Sequence, residues 1–564
     1  MVQLRPLVYV LAVLLATAPV ASAEARTETS AAARPSGKRK PVKRAPARGR
    51  RPLARNAVTA ARPSALSLSA GPPIRNSAPA GATEDERTLQ ARLDAILSSS
   101  TLKSAINGVY VVDARTGAEL YAYAADRQLN PASNTKLVST ATAFDALGPD
   151  YTYATRLYGP APDADGVIHG DVTLLGTGDP TLRVAHLVEL VTALRQRGVT
   201  RIEGDVIVSS DDRDALALPY VRVTVSGGVS NGERARVRVH PEAGVFVIAN
   251  RATTGKARKR GRVQVGAVRV VGDGGKLQIA VSGKIRRRQE LSFVRGVPRP
   301  VLFTGQTLRA SLIAGGIHVT GGVEQRTERP EPDESGLVLA THESVPLRQL
   351  AAMINKPSNN FLADRLILTV GSEKYGGERS MQKGVRAMSD WLARVAGVAQ
   401  DSYRLENGSG LSHLIHISPR QIASVLLAGA KDERVGKDWI NSLAIGGVDG
   451  TLRARFAGHP AAGYVFGKTG TLAGVAALSG FVTISDDHSV CFSILTSGFG
   501  SRRKQSIRAG QAQVADAIFE YLKTRAGGEL APPPTLEGDG VSEDADSDET
   551  MPGDEVLGNP DVEL

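Results

Sequence analysis

Hydrophobic residues change their spacing twice along this chain, and those two changes limit the architectures open to it. Leu137, Ala141 and Phe144, and much later Leu347, Leu350, Ala351 and Ile354, recur at helical spacing. Between them, from about Val184 to Glu343, one helical stretch (Ala185 to Gln196) gives way to short alternating runs. Arg236-Val237-Arg238-Val239 and Arg262-Val263-Gln264-Val265 are examples, with glycine-rich breaks between runs. Period-two alternation of this kind predicts strands. Helix-rich, then strand-rich, then helix-rich again predicts a discontinuous domain, residues 85–183 and 344–526, interrupted by a β-rich insert at 184–343.

Within the first block a helix is expected at Leu89 to Leu97, then a hairpin of Gly108 to Asp113 and Ala118 to Tyr123, then a helix opening near Ser133. Gly170 to Gly176 reads as a strand. In the second block Lys356-Pro357 stops one helix and Ser358-Asn359-Asn360 caps the next, Phe361 to Val370. Helices follow at Arg379 to Val395 and Ser418 to Ala430. Strands are expected at Tyr464 to Thr471, Val475 to Ile484 and Val490 to Thr496, with a closing helix from Ser506 to Thr524.

The ends differ from the middle. Met1 to Ala23 carries Arg5, an apolar run from Leu7 to Ala18 and a terminal Ala21-Ser22-Ala23, the pattern of a removable secretory signal. That run is too short for a comfortable bilayer span. The net charge of +12 is concentrated in residues 24–84, an Ala/Pro/Arg/Lys-rich arm expected to be disordered. Behind a signal peptide the polyanions within its reach are wall polymers and lipid headgroups, so anionic wall or membrane-surface contact is expected and nucleic acid is not. A spacer role is equally open. The tail, 527–564, is acidic and is also expected to be disordered. The single cysteine, Cys491, lies in an apolar run, so neither an internal disulfide nor a cysteine-based metal site is expected.

One short stretch carries chemistry. In Ser133-Asn134-Thr135-Lys136 a serine precedes a lysine by three positions at a helix start, which places hydroxyl and amine on one face. A serine hydroxyl needs a base before it can attack, and an amine of lowered pKa can serve. Free lysine titrates near ~10.4, and burial beside a second cation lowers that value. Ser358-Asn359-Asn360 and Lys468-Thr469-Gly470-Thr471 are two further candidates. The latter is no phosphate loop, because Ala462 stands where that motif needs glycine and a strand follows instead of a helix. A Ser-His-Asp hydrolase is disfavoured by the lack of a G-x-S-x-G elbow, with His413 and His416 expected near the surface or lining a helix approach. No spaced ligand set appears, so neither metal nor cofactor is expected.

In order, S-x-x-K, S-x-N and K-T-G form the triple of penicillin-binding proteins and serine β-lactamases. The chain resembles that superfamily, and within it the D-alanyl-D-alanine carboxypeptidase/endopeptidase group, peptidase family S13. Further stretches similar to that family are Gly176-Thr177-Gly178-Asp179-Pro180-Thr181-Leu182, Met353 to Leu362, Gly408-Ser409-Gly410-Leu411-Ser412 and Gly447-Val448-Asp449-Gly450-Thr451-Leu452. The long gap between Ser133 and Ser358 also suits the group. Asn407 departs from the aspartate usual before Gly-Ser-Gly.

The resemblance implies a transpeptidase-like α/β (α+β) domain, an antiparallel sheet flanked by helices, carrying a large β-rich insert. It implies that Ser133 attacks the penultimate D-alanine carbonyl of peptidoglycan stem peptides and that Lys136 takes its proton. Ser358 would relay a proton to the leaving amine, Asn360 would hold substrate and Lys136, and Lys468 would act through its charge. Backbone N–H groups of Ser133 and Thr471 would form the oxyanion hole. Thr469, Gly470 and Thr471 would bind substrate, the two threonines with Lys468 taking its terminal carboxylate. β-Lactams are the expected inhibitors and the expected location is exported, periplasmic or wall-associated. The alternatives are a serine β-lactamase and a wall-binding protein of the same fold without turnover. A β-lactamase needs a base to aim water, and the candidate acids, Glu406 and Asp449, sit in glycine-rich turns that match carboxypeptidase motifs instead.

Overall fold

The computed structural model describes residues 82–209, 218–255, 263–272, 276–328 and 336–528, with 530 and 533. The signal peptide, nearly all of the basic arm, most of the acidic tail and Lys256 to Arg260 lie outside the described residues.

One six-stranded sheet organises the part of the chain that carries Ser133. Its order is Ala444–Ile445, Val465–Leu472, Val475–Ser485, His488–Ser497, Ile106–Asp113, Glu119–Tyr123, and every neighbouring pair is antiparallel. Side chains alternate across a strand, so each strand feeds two cores. Val109 and Val111 join a core with the helices Glu84–Ser98 and Lys504–Arg525, while Tyr110 and Val112 join the core on the other face. That second core includes the helices Thr135–Leu147, Leu347–Asn355, Asn360–Tyr375, Met381–Arg394 and Pro419–Lys431. Burial on both faces explains why these strands read as continuous apolar runs. Cys491 is fully buried in one of them.

The helix Thr135–Leu147 is buried on all sides from Thr135 to Phe144. A helix with no solvent face has no room for unpaired hydroxyls. Ser139, Thr140 and Thr142 each bond back to the carbonyl four residues earlier, at 3.2, 2.7 and 2.8 Å.

The other half differs from expectation in two ways. Residues 154–183, expected to belong with the helix-rich block, pair with the insert instead. The strands Ala154–Gly159 and Val172–Gly176 lie in a five-stranded sheet with Val206–Ser209, Val323–Arg326 and Leu337–Glu343. Leu157, Val172 and Leu174 share a core with Val208, Phe303 and Leu339. Alternation cannot reveal this, because a strand's pattern reports that one face is covered and not which partner covers it.

The second difference is a helix, Pro300–Ala314, where only strands were expected after Gln196. Its buried residues include Gly305 and Thr304, poor helix formers that blur a helical pattern. Proline opens its first turn, where the missing N–H costs nothing. The remaining strands form smaller sheets, among them Glu290–Gly296 with Tyr220–Ser226 and Arg236–His240. Among the described residues no helix is long and apolar enough to cross a membrane.

Candidate active site

The approach to Ser133 is strained. Ala132 has φ 47°, a left-handed value that costs a side-chain-bearing residue free energy and tends to mark functional sites. Asn130 holds the turn by accepting from Ala132 N–H at 2.8 Å. Ser133 then lies in a 3₁₀ turn, Ala132–Asn134, which runs directly into the helix Thr135–Leu147. Residues three apart nearly eclipse in a 3₁₀ turn, and the Lys136 amine donates to Ser133 Oγ at 2.9 Å.

Lys136 has no solvent exposure. Besides Ser133 its Nζ donates to the Ser409 carbonyl at 2.7 Å and to Asn360 Oδ1. Asn360 begins the helix Asn360–Tyr375, and Asn359 caps it by accepting from Leu362 N–H at 3.0 Å. Ser358, two residues before Asn360, is held at φ 66°, a second left-handed non-glycine position in this cluster. Its hydroxyl accepts from Lys468 Nζ at 2.8 Å. Lys468 is likewise fully buried, whereas Ser133 and Ser358 are half-buried. Side-chain hydrogen bonds therefore join Ser133, Lys136 and Asn360 in one group and Ser358 and Lys468 in another.

Thr469, Gly470 and Thr471 continue the strand Val465–Leu472. Its neighbour Ala444–Ile445 pairs only with Phe466 and Gly467, so the strand from Lys468 onward faces the Ser133 turn. That approach demands glycine, since a Cβ at Gly470 would lie 2.5 Å from Pro131 O and 3.1 Å from Ala132 Cβ. Thr469 donates to Thr451 Oγ at 2.9 Å, which gives the Gly447–Leu452 stretch a place beside the site.

Three groups missed in the sequence take part. The Ser409 carbonyl is an acceptor for Lys136, so the Gly-Ser-Gly stretch belongs to the cluster. Asp364 accepts from Ser409 N–H at 2.8 Å, and burial raises its carboxyl above the usual carboxylate range despite the opposing charge of Lys136. Arg508, on the helix Lys504–Arg525, donates to Thr471 Oγ at 2.7 Å. Burial lowers its guanidinium from the ordinary arginine value. It lies close enough to the half-buried Arg455 for their charges to interact. The Ser409 carbonyl could have been suspected from the motif, but nothing in the spacing of Thr471 and Arg508 announces their contact.

Asn407 keeps the acceptor that an aspartate would supply, since its Oδ1 takes Gly410 N–H at 2.8 Å. The two spare acids are engaged elsewhere. Glu406 pairs with Arg404, while Asp449 pairs with Lys356 and accepts from Ile445 N–H at 2.8 Å. His413 is exposed and His416 half-buried. The arrangement offers a reachable hydroxyl, an amine hydrogen-bonded to its oxygen, and cationic donors along one strand edge, a set suited to acyl transfer from a substrate bearing a carboxylate.

The sequence profile of the D-Ala-D-Ala carboxypeptidase 3 (S13) family matches residues 89–215 and 215–518. The chain is 30% identical over 495 residues to a D-alanyl-D-alanine carboxypeptidase of Actinomadura sp. (strain R39), covering 81% of this chain and 89% of that one. It is 28% identical over 419 residues to the D-alanyl-D-alanine carboxypeptidase DacB of Haemophilus influenzae, covering 69% and 85%. The crystal structure of penicillin binding protein 4 (dacB) from Haemophilus influenzae, in complex with a β-lactam, superimposes with a TM-score of 0.60 at 24% identity, covering 76% of this chain and 98% of that one.

Proposed function

The chain belongs to the D-Ala-D-Ala carboxypeptidase 3 (S13) family, and from that premise we propose how its own residues carry out D-Ala-D-Ala carboxypeptidase chemistry. Ser133 Oγ attacks the carbonyl carbon of the penultimate D-alanine while its proton passes to Lys136 Nζ. The role requires a neutral amine. Complete burial of Lys136 favours that form, and the carboxylate of Asp364 behind Ser409 opposes it. The oxyanion is met by the backbone N–H groups of Ser133 and Thr471. Collapse breaks the peptide bond, and the proton reaches the leaving D-alanine nitrogen through Ser358. Water then attacks the acyl-enzyme and returns Ser133 to its free form.

Asn360 positions Lys136 and the substrate amide, and Lys468 fixes Ser358 through their 2.8 Å contact. Thr469 and Thr471 bind the terminal carboxylate along the edge that Gly470 keeps open, with Arg508 supplying a guanidinium there. Cross-linked stem peptides present a comparable carboxylate beside the scissile amide, so endopeptidase action falls within the same proposal. β-Lactams acylate Ser133. The enzyme acts outside the cytoplasm, in the periplasm or at the wall, and the arm at 24–84 tethers it electrostatically to anionic wall or membrane surface. Such a tether weakens as salt shortens the screening length, so sedimentation with isolated wall at low and high salt checks it.

The observation carrying this reading is Lys136 Nζ held between Ser133 Oγ, Asn360 Oδ1 and the Ser409 carbonyl. The test pairs mass spectrometry of the protein mixed with penicillin and assay of free D-alanine from a peptide ending in D-Ala-D-Ala. A penicilloyl adduct on Ser133 that lasts minutes to hours, together with D-alanine release, is expected. Rapid penicillin turnover without D-alanine would point to a β-lactamase instead. The engagement of Glu406 and Asp449 in other pairs speaks against that outcome.

A further inference from the structure

Where the chain passes between its two halves, three side chains distant in sequence converge. Asp179 lies in the Gly176–Leu182 stretch after the strand Val172–Gly176, His186 on the first turn of the helix Val184–Gln196, and His342 near the end of the strand Leu337–Glu343. One ligand atom from each lies within 4.8 Å of the others. Asp179 and His342 are 4% and 8% exposed, and their Asp179 Oδ2 and His342 Nε2 atoms are buried without a hydrogen-bond partner. Buried polar atoms are almost always satisfied, so two of them facing one another need a reason.

They stand 3.8 Å apart, too far for a direct hydrogen bond. An ion bonded at about 2.1 Å to each would span that gap at an angle of about 130°. Both residues are held from behind. Asp179 Oδ1 accepts from Thr181 N–H at 2.7 Å and from the Thr181 hydroxyl at 2.6 Å, which leaves Oδ2 pointing inward. His342 Nδ1 contacts Glu189 Oε2 at 2.7 Å. A carboxylate there holds the ring proton on Nδ1 and turns the Nε2 lone pair toward Asp179, the outer-shell arrangement common behind metal-bound histidines.

His186 is the adaptable member. Its ring stacks on His342 with centroids 4.0 Å apart and planes 14° from parallel, and its Nδ1 accepts from Arg183 N–H at 3.2 Å. An ion lying in the plane of the His342 ring draws His186 out of that stack and ends the Arg183 contact, a long hydrogen bond. Among the described residues this is the one group of His, Cys, Asp and Glu that meets the geometry of a metal site.

The geometry points to a divalent transition-metal site formed by Asp179, His186 and His342, with Glu189 orienting His342. Two imidazoles and one carboxylate suit zinc and, among its substitutes, cobalt. The ion fastens together the loop after Val172–Gly176, the helix Val184–Gln196 and the strand by which the chain returns to the reactive half. It also gives the Gly176–Leu182 stretch a task that the reaction at Ser133 does not use.

The full chain, stripped with a chelator and dialysed, is titrated with Zn(II) and separately with Co(II). One equivalent of Zn(II), the visible d–d bands of four-coordinate Co(II), and a Zn(II)-dependent rise in melting temperature are expected. Asp179→Asn and His342→Gln should weaken binding by about 100-fold or more and Glu189→Gln by about tenfold, with circular dichroism unchanged. His169, an exposed histidine between Asp163 and Glu203, is the control, and His169→Gln should leave binding intact. Three results overturn the site: a wild-type protein without Co(II) d–d bands, equal Zn(II) affinity in a folded His186→Gln/His342→Gln variant, or loss of binding in His169→Gln. The Co(II) spectrum of the wild type decides the matter even where a variant fails to fold.

Discussion

The residues around Ser133 and those at the root of the insert both bury charge, and they handle it differently. Lys136 and Lys468 sit at zero exposure, each with its amine on the oxygens of neighbouring hydroxyl, amide or carbonyl groups. Asp179 and His342 are also buried, yet each keeps an atom without a hydrogen-bond partner. A buried amine held against a hydroxyl is placed for proton transfer within the protein, while unpartnered lone pairs that converge are organised for something brought from outside. The same chain thus contains a hydrogen-bonded cluster around Ser133 and, apart from it, a set of converging donor atoms.

The strongest way to break that contrast is to remove the nucleophile. Ser133→Ala should abolish covalent penicillin attachment and lower D-alanine release by roughly four orders of magnitude or more, with Lys136→Ala nearly as severe. An adduct that persists in Ser133→Ala, found by intact-mass measurement, would move the chemistry elsewhere. Next comes the close approach of the strand to the Ser133 turn. A Cβ at Gly470 meets backbone at 2.5 Å, so Gly470→Ala should slow acylation by about 100-fold through displacement of the edge, read from stopped-flow acylation rates.

Arg508 sharpens the comparison from the substrate side. Arg508→Gln should reduce kcat/KM by roughly 10- to 100-fold for a peptide with a free terminal carboxylate, the size of a lost charge-assisted hydrogen bond. The same peptide with an amidated terminus should hardly distinguish the two enzymes, and an equal loss on both would deny Arg508 the carboxylate.

Asp364 tests the cluster through pH. Burial raises its folded-state pKa above the unfolded value, so its contribution to stability is fully present below the unfolded pKa and is lost as pH rises through the folded one. Asp364→Asn should therefore compare more favourably with wild type in urea unfolding at pH 7 than at pH 4. The reverse order would mean that the Ser409 and Lys136 contacts outweigh burial.

The smallest effect is expected in the insert. Deleting Lys256 to Arg260 should change small-peptide turnover by less than about twofold, because that stretch contains none of the candidate reactive residues. A hundredfold loss with folding preserved would extend the reactive centre into the insert.

Much of the centre was legible before any coordinates. A serine and a lysine three residues apart need only a turn of helix to meet, so local geometry is enough to bring Ser133 and Lys136 together. Ordered motifs singled out Ser358, Asn360 and Lys468, which the structure places on Lys468, Lys136 and Ser358 respectively, and the apolar runs around Cys491 announced strands covered on both faces. The helix Pro300–Ala314 was not legible, since glycine and threonine at buried positions blur helical periodicity. The assignment of Ala154–Gly159 and Val172–Gly176 also escaped, because alternation records burial and not the identity of the partner strand.

By itself, then, the sequence determined what short-range physics determines: helix starts and stops, strand alternation, and the meeting of Ser133 and Lys136 on one turn. Tertiary structure alone decided that Arg508 reaches Thr471, that Asp364 stands behind Ser409, and that Asp179, His186 and His342 converge. Each of those contacts joins residues on separate elements, and their distance in space is set by how sheets and helices pack, a quantity that no spacing along the chain encodes.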